Sequence, residues 1–236
     1  MTAPLSGKLA LVTGASRGIG AATAEALGKA GAHVILTART SGGLEEVEER
    51  IHALGGSATI APLDLTENDS IARLATAVGS RWSSLDIIVL NAAMLGTLSP
   101  VAAIDAKEFA SLLTLNVMAQ QQMIAAFDAM LRQSESASVI GVTSSVGKTA
   151  RPYWGAYGAS KAALDLMLLA YGAEVANISN IRCAIVDPAA TATKMRERAF
   201  PGEDPTTLKS PAVVGDAIVK LVVDGFEPGT RIRVEG

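Results

Sequence analysis

Apolar positions along the chain fall into two alternating kinds of segment. Short runs rich in Val, Ile and Leu lie at Leu9–Val12, Val34–Ala38, Ala58–Pro62, Ile87–Leu90, Val139–Thr143, Ile181–Val186 and Ile232–Val234. They lack the polar alternation of a strand with one wet face, so each predicts a strand covered on both faces. Between them, apolar residues recur at helical spacing over Ile19–Ala30, Leu44–Leu54, Ile71–Arg81, Ala106–Leu131, Ala156–Ala176 and Val213–Val223. Gly31 and Gly55 stand where helix ends want them. Strands alternating with helices imply right-handed crossovers, and therefore an α/β fold with a doubly wound, parallel, seven-stranded sheet and helices on both faces. Only Pro188 to Pro211 fits neither pattern. A long connection in a compact domain reads as a lid or binding loop, here over residues 189–210, with a disordered insertion as the alternative.

Composition narrows the class. Hydrophobic residues make up 49% of the 236 and aromatics only 4%, so the interior is filled by aliphatic side chains, as in helices packed on a sheet. No linker, repeat or low-complexity segment marks a boundary, and a single domain over residues 1–236 is expected. The net charge of -3 comes without any Lys/Arg run, which argues against nucleic acid as a partner. Met1 to Lys8 has no apolar core of signal-peptide length, and no stretch reaches the roughly 18 apolar residues that span a bilayer. A cytoplasmic protein without membrane contact is expected. Cys183 is the only cysteine, in an apolar run that suits a buried thiol, and His33 and His52 are isolated, so no metal site is expected.

Chemistry enters at the end of the first strand. Thr13-Gly14-Ala15-Ser16-Arg17-Gly18-Ile19-Gly20 leads directly into the first helix. Glycines there permit a tight turn and let the backbone approach a pyrophosphate, whose charge is stabilised by the N–H groups of the helix N-terminus. This context marks the sheet as Rossmann-type, although the spacing is not that of the general dinucleotide fingerprint. The second strand ends in Thr37-Ala38-Arg39, where the fingerprint has an acid for the ribose hydroxyls. Arg39 offers a donor fork for a 2′-phosphate and Arg17 a second positive charge, so NADP(H) is favoured over NAD(H). A solvated strand-end arginine is the alternative.

Tyr157-Gly158-Ala159-Ser160-Lys161 opens a long apolar helix, and residues four apart share a face. A neighbouring ammonium and an oxidised nicotinamide would both favour the phenolate, enabling Tyr157 to exchange a proton with a substrate oxygen while hydride moves at carbon. The preceding strand ends in Thr143-Ser144-Ser145, at the carboxyl edge where open α/β sheets bind ligands.

With these pieces in order, the chain resembles the short-chain dehydrogenase/reductase family over almost its whole length. Thr13 to Gly20 is similar to the family's TGxxxGxG turn, Asp64 with Leu65 to its adenine contact, and Asn91-Ala92-Ala93 to its NAG segment. Asn116 resembles the family's asparagine, which helps to hold a water chain reaching the lysine, and Ser144 its serine, thirteen residues before Tyr157. The resemblance implies that Lys161 binds the nicotinamide ribose and lowers the tyrosine pKa, and that Pro188, Thr191 and Thr193 stand beside the nicotinamide. Ala93 and Ala189 depart from the family's glycines. Leu95 to Pro100 and Tyr153-Trp154-Gly155 are similar to a bacterial branch of the family.

The resemblance implies a reductase of carbonyl substrates or a dehydrogenase of alcohols, assembled as a homodimer or homotetramer. Asn116, Ser144, Tyr157 and Lys161 are the catalytic candidates, and Gly14, Ser16, Arg17, Gly18, Ile19, Gly20, Arg39, Asp64, Leu65, Asn91, Ala92, Pro188, Thr191 and Thr193 join Tyr157 and Lys161 at the cofactor. The alternative is an NADP-binding regulatory protein of the same fold with little or no turnover.

Overall fold

The computed structural model describes residues 3–235, and among them the apolar runs become seven strands of one sheet. These are β1 (Leu9–Thr13), β2 (His33–Ala38), β3 (Ser57–Pro62), β4 (Ile87–Leu90), β5 (Ala137–Val142), β6 (Ile181–Asp187) and β7 (Thr230–Arg233). Every pairing is parallel, in the order β3-β2-β1-β4-β5-β6-β7. The helices are α1 (Gly18–Lys29), α2 (Ser41–Ala53), α3 (Ser70–Gly79), α4 (Ala106–Leu113), α5 (Ala119–Arg132), α6 (Gly155–Val175), α7 (Lys194–Ala199) and α8 (Pro211–Asp224).

Successive strand residues point to opposite faces, and here both faces are apolar. Val12, Leu36, Val89, Ile140 and Val186 form one core with α1, α2 and α8; Leu11, Ile35, Ile88, Val139 and Ile185 form the other with α3, α5 and α6. At about 1.5–3 kcal/mol for each fully buried aliphatic side chain, these two layers hold the sheet rigidly. All strand carboxyl ends therefore share one edge. The order reverses between β1 and β4, which opens a crevice there.

Three expectations need correction. The helix read over Ala106–Leu131 is interrupted: α4 passes through a π-helical turn at Thr114–Met118 into α5. Just after that turn, in α5, the buried Gln120 amide donates back to the Leu115 carbonyl at 3.0 Å and to the Ala92 carbonyl at 3.0 Å. Strand limits also move. β5 starts at Ala137, already paired with Ile181, and β7 starts at the polar Thr230, paired with Ala184. Finally, Pro188–Pro211 is ordered by α7, by a 3-10 turn at Pro205–Thr207 and by a bridge between Thr191 and Lys209. α8 begins at Pro211 rather than Val213, with Ser210 as its cap.

Candidate active site

β1 delivers the chain into a turn that only glycine can make. Gly14 sits at φ +67°, and a Cβ on Gly20 would lie 2.2 Å from the Gly14 carbonyl oxygen, so α1 packs directly onto turn backbone. Arg17 precedes α1 in extended conformation and makes no side-chain cap, which leaves the first N–H groups of the helix for an anion. Ser16 and Ile19 are half-buried there, and Arg17 is exposed. Asn91 fixes the turn from β4: its backbone N–H donates to Thr13 Oγ1 at 2.9 Å, and its amide donates to the Thr13 carbonyl at 2.8 Å and the Gly14 carbonyl at 3.3 Å. The Ala92 N–H donates to the same Thr13 hydroxyl at 3.0 Å.

Arg39 is exposed at the end of β2, across from Asp64 after β3, with Leu65 buried behind. Burial pushes the Asp64 carboxyl up, but the N–H and hydroxyl of Thr66, with the Arg39 charge, outweigh it and hold it below the usual carboxylate range. Asp64 is thus charged at neutral pH.

Tyr157 and Lys161 stand one turn apart on α6, both buried. Lys161 Nζ donates to the Val142 carbonyl at 2.9 Å and lies 5.7 Å from the centre of the Tyr157 ring. Asn116 is fully buried in the π-helical turn. Its Oδ1 accepts from the Met94 N–H at 2.9 Å, and its Nδ2 donates to the Met94 carbonyl at 2.9 Å and to Ser160 Oγ at 3.0 Å. Ser160 in turn donates to the Tyr157 carbonyl at 2.7 Å. The chain of bonds from Asn116 through Ser160 therefore anchors the backbone that carries the phenol. Ser144, half-buried after β5, accepts from the Val146 N–H at 3.4 Å, while Ser145 is exposed.

The expected lowering of the phenol pKa counts on the ammonium together with an oxidised nicotinamide; in the chain by itself the shift is upward. Burial pushes Tyr157 far above its ordinary value, with the Asp187 charge adding to it. Lys161 bonds to the Val142 carbonyl instead of to the phenol, and burial pulls its amine down to about 8 against the opposing Asp165 carboxylate. At neutral pH Tyr157 is a neutral proton donor.

From β6 the chain folds back over this cluster. Ala189 takes φ +49°, a conformation that favours glycine. Asp187 supports it: one carboxylate oxygen accepts from the Ala189 N–H at 3.0 Å and the other from Arg233 Nη1 at 3.0 Å. Thr191 is buried and donates to the Pro188 carbonyl at 2.8 Å. Thr193 accepts from the Arg196 N–H at 3.1 Å as the cap of α7, and its methyl faces Gly18 across the glycine turn. Met195 brings its sulfur within 3.9 Å of Tyr157 Oη. Met195 and Asp187 carry no motif that points to this site in the sequence, and Ser160, inside the Tyr157–Lys161 segment, has no role there that spacing reveals.

Residues 8–204 match the family model described as short chain dehydrogenase. The chain belongs to that family. Among its relatives, the uncharacterized oxidoreductase YciK of Escherichia coli K12 is 33% identical over 223 residues, covering 93% of this chain and 88% of YciK. A Shigella flexneri short chain dehydrogenase complexed with NADP is 30% identical, with a TM-score of 0.94 and full coverage of both chains. An Escherichia coli CFT073 short chain dehydrogenase complexed with NADPH is 30% identical with a TM-score of 0.93, again over all of both chains. Other polar groups of this short chain dehydrogenase lie apart from the cluster. His33 is held between Ser57 Oγ and Thr59 Oγ1, each at 2.9 Å, and burial pushes the Cys183 thiol up to about 12. Among the described residues, no helix is long and apolar enough to cross a membrane.

Proposed function

We propose that this short chain dehydrogenase transfers hydride between NADP(H) and a carbonyl or alcohol substrate, with Tyr157 as the proton donor and acceptor. The observation that carries the reading is the buried Tyr157 and Lys161 pair at the carboxyl edge of the sheet, together with a glycine turn where a side chain at Gly20 would strike backbone. The cofactor of the Shigella and CFT073 relatives suits this chain: Gly14, Ser16, Arg17, Gly18, Ile19 and Gly20 form an anion cradle, and β2 ends in Arg39 rather than in an acid that would repel a 2′-phosphate. When bound, NADPH supplies the hydride.

The remaining work falls to the chain. Arg39 and Arg17 hold the 2′-phosphate; Asp64 and Leu65 receive the adenine; Asn91 and Ala92 shape the floor. Pro188, Thr191 and Thr193 bound the nicotinamide side, and Lys161 takes the ribose hydroxyls. In reduction, hydride adds to the carbonyl carbon, the C–O π pair moves to oxygen, and the neutral Tyr157 phenol gives that oxygen its proton. Ser144 orients the same oxygen by a hydrogen bond. Asn116, through Ser160, keeps the phenol in register. The segment over 189–210 acts as the substrate lid, and the reading includes a cytoplasmic homo-oligomer.

A broad carbonyl panel with NADPH, followed by loss of cofactor absorbance, tests this. Turnover of at least one carbonyl is expected. NADPH binding without turnover of any would leave a regulatory protein that kept the fold.

A further inference from the structure

Tyr157 needs a partner for its hydroxyl, and the one it meets is poor. The nearest acceptor is the Met195 thioether at 3.9 Å, a weak one, so a carbonyl oxygen at ordinary hydrogen-bond distance readily replaces it. Around that position the chain gathers polarisable rings. Trp154, just before α6, meets the Tyr157 ring edge-on with centres 5.9 Å apart, and Phe200, just after α7, stacks on Trp154 at 5.7 Å and 29°. Two separate segments thus place Met195 and Trp154 next to the Tyr157 side chain, with Phe200 stacked on Trp154.

Two cations lie on the faces of these rings, and one of them is already paired with a carboxylate. Arg196 lies 3.8 Å over the Phe200 ring while its Nε and Nη2 donate to Glu203 at 2.6 and 2.5 Å. Arg151 covers Phe200 at 4.8 Å and Trp154 at 5.4 Å. These guanidinium groups brace the rings from their faces, and Arg196 is matched by a carboxylate. An anionic substituent among the three apolar side chains would lose hydration without gaining the Arg196 charge. A hydrocarbon group would keep the contacts that Met195 makes, and methionine adapts to varied shapes.

Resting on Tyr157 as the proton donor, we infer that Met195, Trp154 and Phe200 form the wall that receives the substituent of the substrate carbonyl, and that this wall selects uncharged aromatic or branched hydrocarbon groups. The chain has two tryptophans, so Trp82→Phe leaves Trp154 as the sole reporter. In one arm, NADPH-loaded Trp82→Phe protein is titrated with benzyl alcohol and with 4-(hydroxymethyl)benzoate while its emission is followed. In the other, wild type and Met195→Ala are compared for kcat/KM on benzaldehyde and 4-carboxybenzaldehyde.

Benzyl alcohol is expected to shift the emission at concentrations about tenfold below its carboxylate analogue, and benzaldehyde to exceed 4-carboxybenzaldehyde about tenfold in kcat/KM. Met195→Ala should narrow that ratio with NADPH affinity unchanged. Equal or better use of the carboxylated aldehyde overturns the selectivity and leaves hydride transfer standing. Benzyl alcohol binding at Trp154 without reduction of either aldehyde supports the wall and counts against hydride transfer. Emission unmoved by both alcohols overturns the wall.

Discussion

Lys161 is held in the fold at a cost that can be measured. Burial lowers its amine from 10.5 to about 8, so at about 1.36 kcal/mol per pH unit the charged form costs the native state about 3 kcal/mol. The folded pKa of this base is depressed, so between pH 8 and 10.5 the unfolded chain binds more protons than the native one. Stability from this group therefore rises with pH across that window, and the full cost is present below it. Lys161→Met keeps the length of the side chain and removes the cost. It also leaves the Val142 carbonyl without its 2.9 Å partner, a loss of about 1–3 kcal/mol. The variant should thus be more stable than wild type by about 0–2 kcal/mol near neutral pH, and inactive. By pH 9.5 the comparison should shift by about 2 kcal/mol in favour of wild type. Urea unfolding of both proteins at the two pH values, followed by far-UV circular dichroism, measures the gap. A gap that is the same at both would refute the depressed amine.

Three further outcomes are expected. NADPH should bind about tenfold more tightly than NADH at low salt, since Arg39 is exposed and its contact with a 2′-phosphate is partly screened; Arg39→Ala should level the two and Arg39→Asp reverse them. Equal wild-type affinities in titrations at two ionic strengths would return Arg39 to solvent. Asp187→Ala should weaken NADPH binding by freeing the Ala189 turn, and adding Ala189→Gly should restore it, because glycine needs no support at positive φ; failure of that rescue in the same titration would separate Asp187 from the turn. Leu166 and Leu169 on α6 are exposed, as a helix face that pairs with a second copy would be, and sedimentation should show a homo-oligomer at micromolar concentration rather than a single monomeric species.

The parts legible in the sequence are those whose signal is local. β1, β2, β4, β5 and β6 are apolar runs covered on both faces, β3 is an apolar edge strand that stays only half-buried, and α1 follows its glycine turn without interruption. Gly14 to Gly20 and the Tyr157 and Lys161 pair span a few residues each, so their spacing alone brings them together. β7 was displaced because Thr230 and Arg231 are polar edge-strand residues. The π-helical turn keeps an ordinary helical composition, and the contacts of Asn116 with Met94 and Ser160 are formed only across the fold. Met195 reaches Tyr157 from 38 residues away, and Trp154 stacks on Phe200 through the same fold-back. The phenol's surroundings are legible only in part for a related reason: the lysine one turn away is visible in the sequence, and the burial that pushes the phenol's pKa up is not.

Tyr157→Phe tests the central claim most directly. The variant keeps the ring and its contact with Trp154 but lacks the proton, so on a carbonyl that wild type reduces with NADPH its turnover should fall by about 10² to 10⁴ while NADPH affinity stays the same. Near-native turnover by Tyr157→Phe would contradict the assignment of Tyr157 as the proton donor.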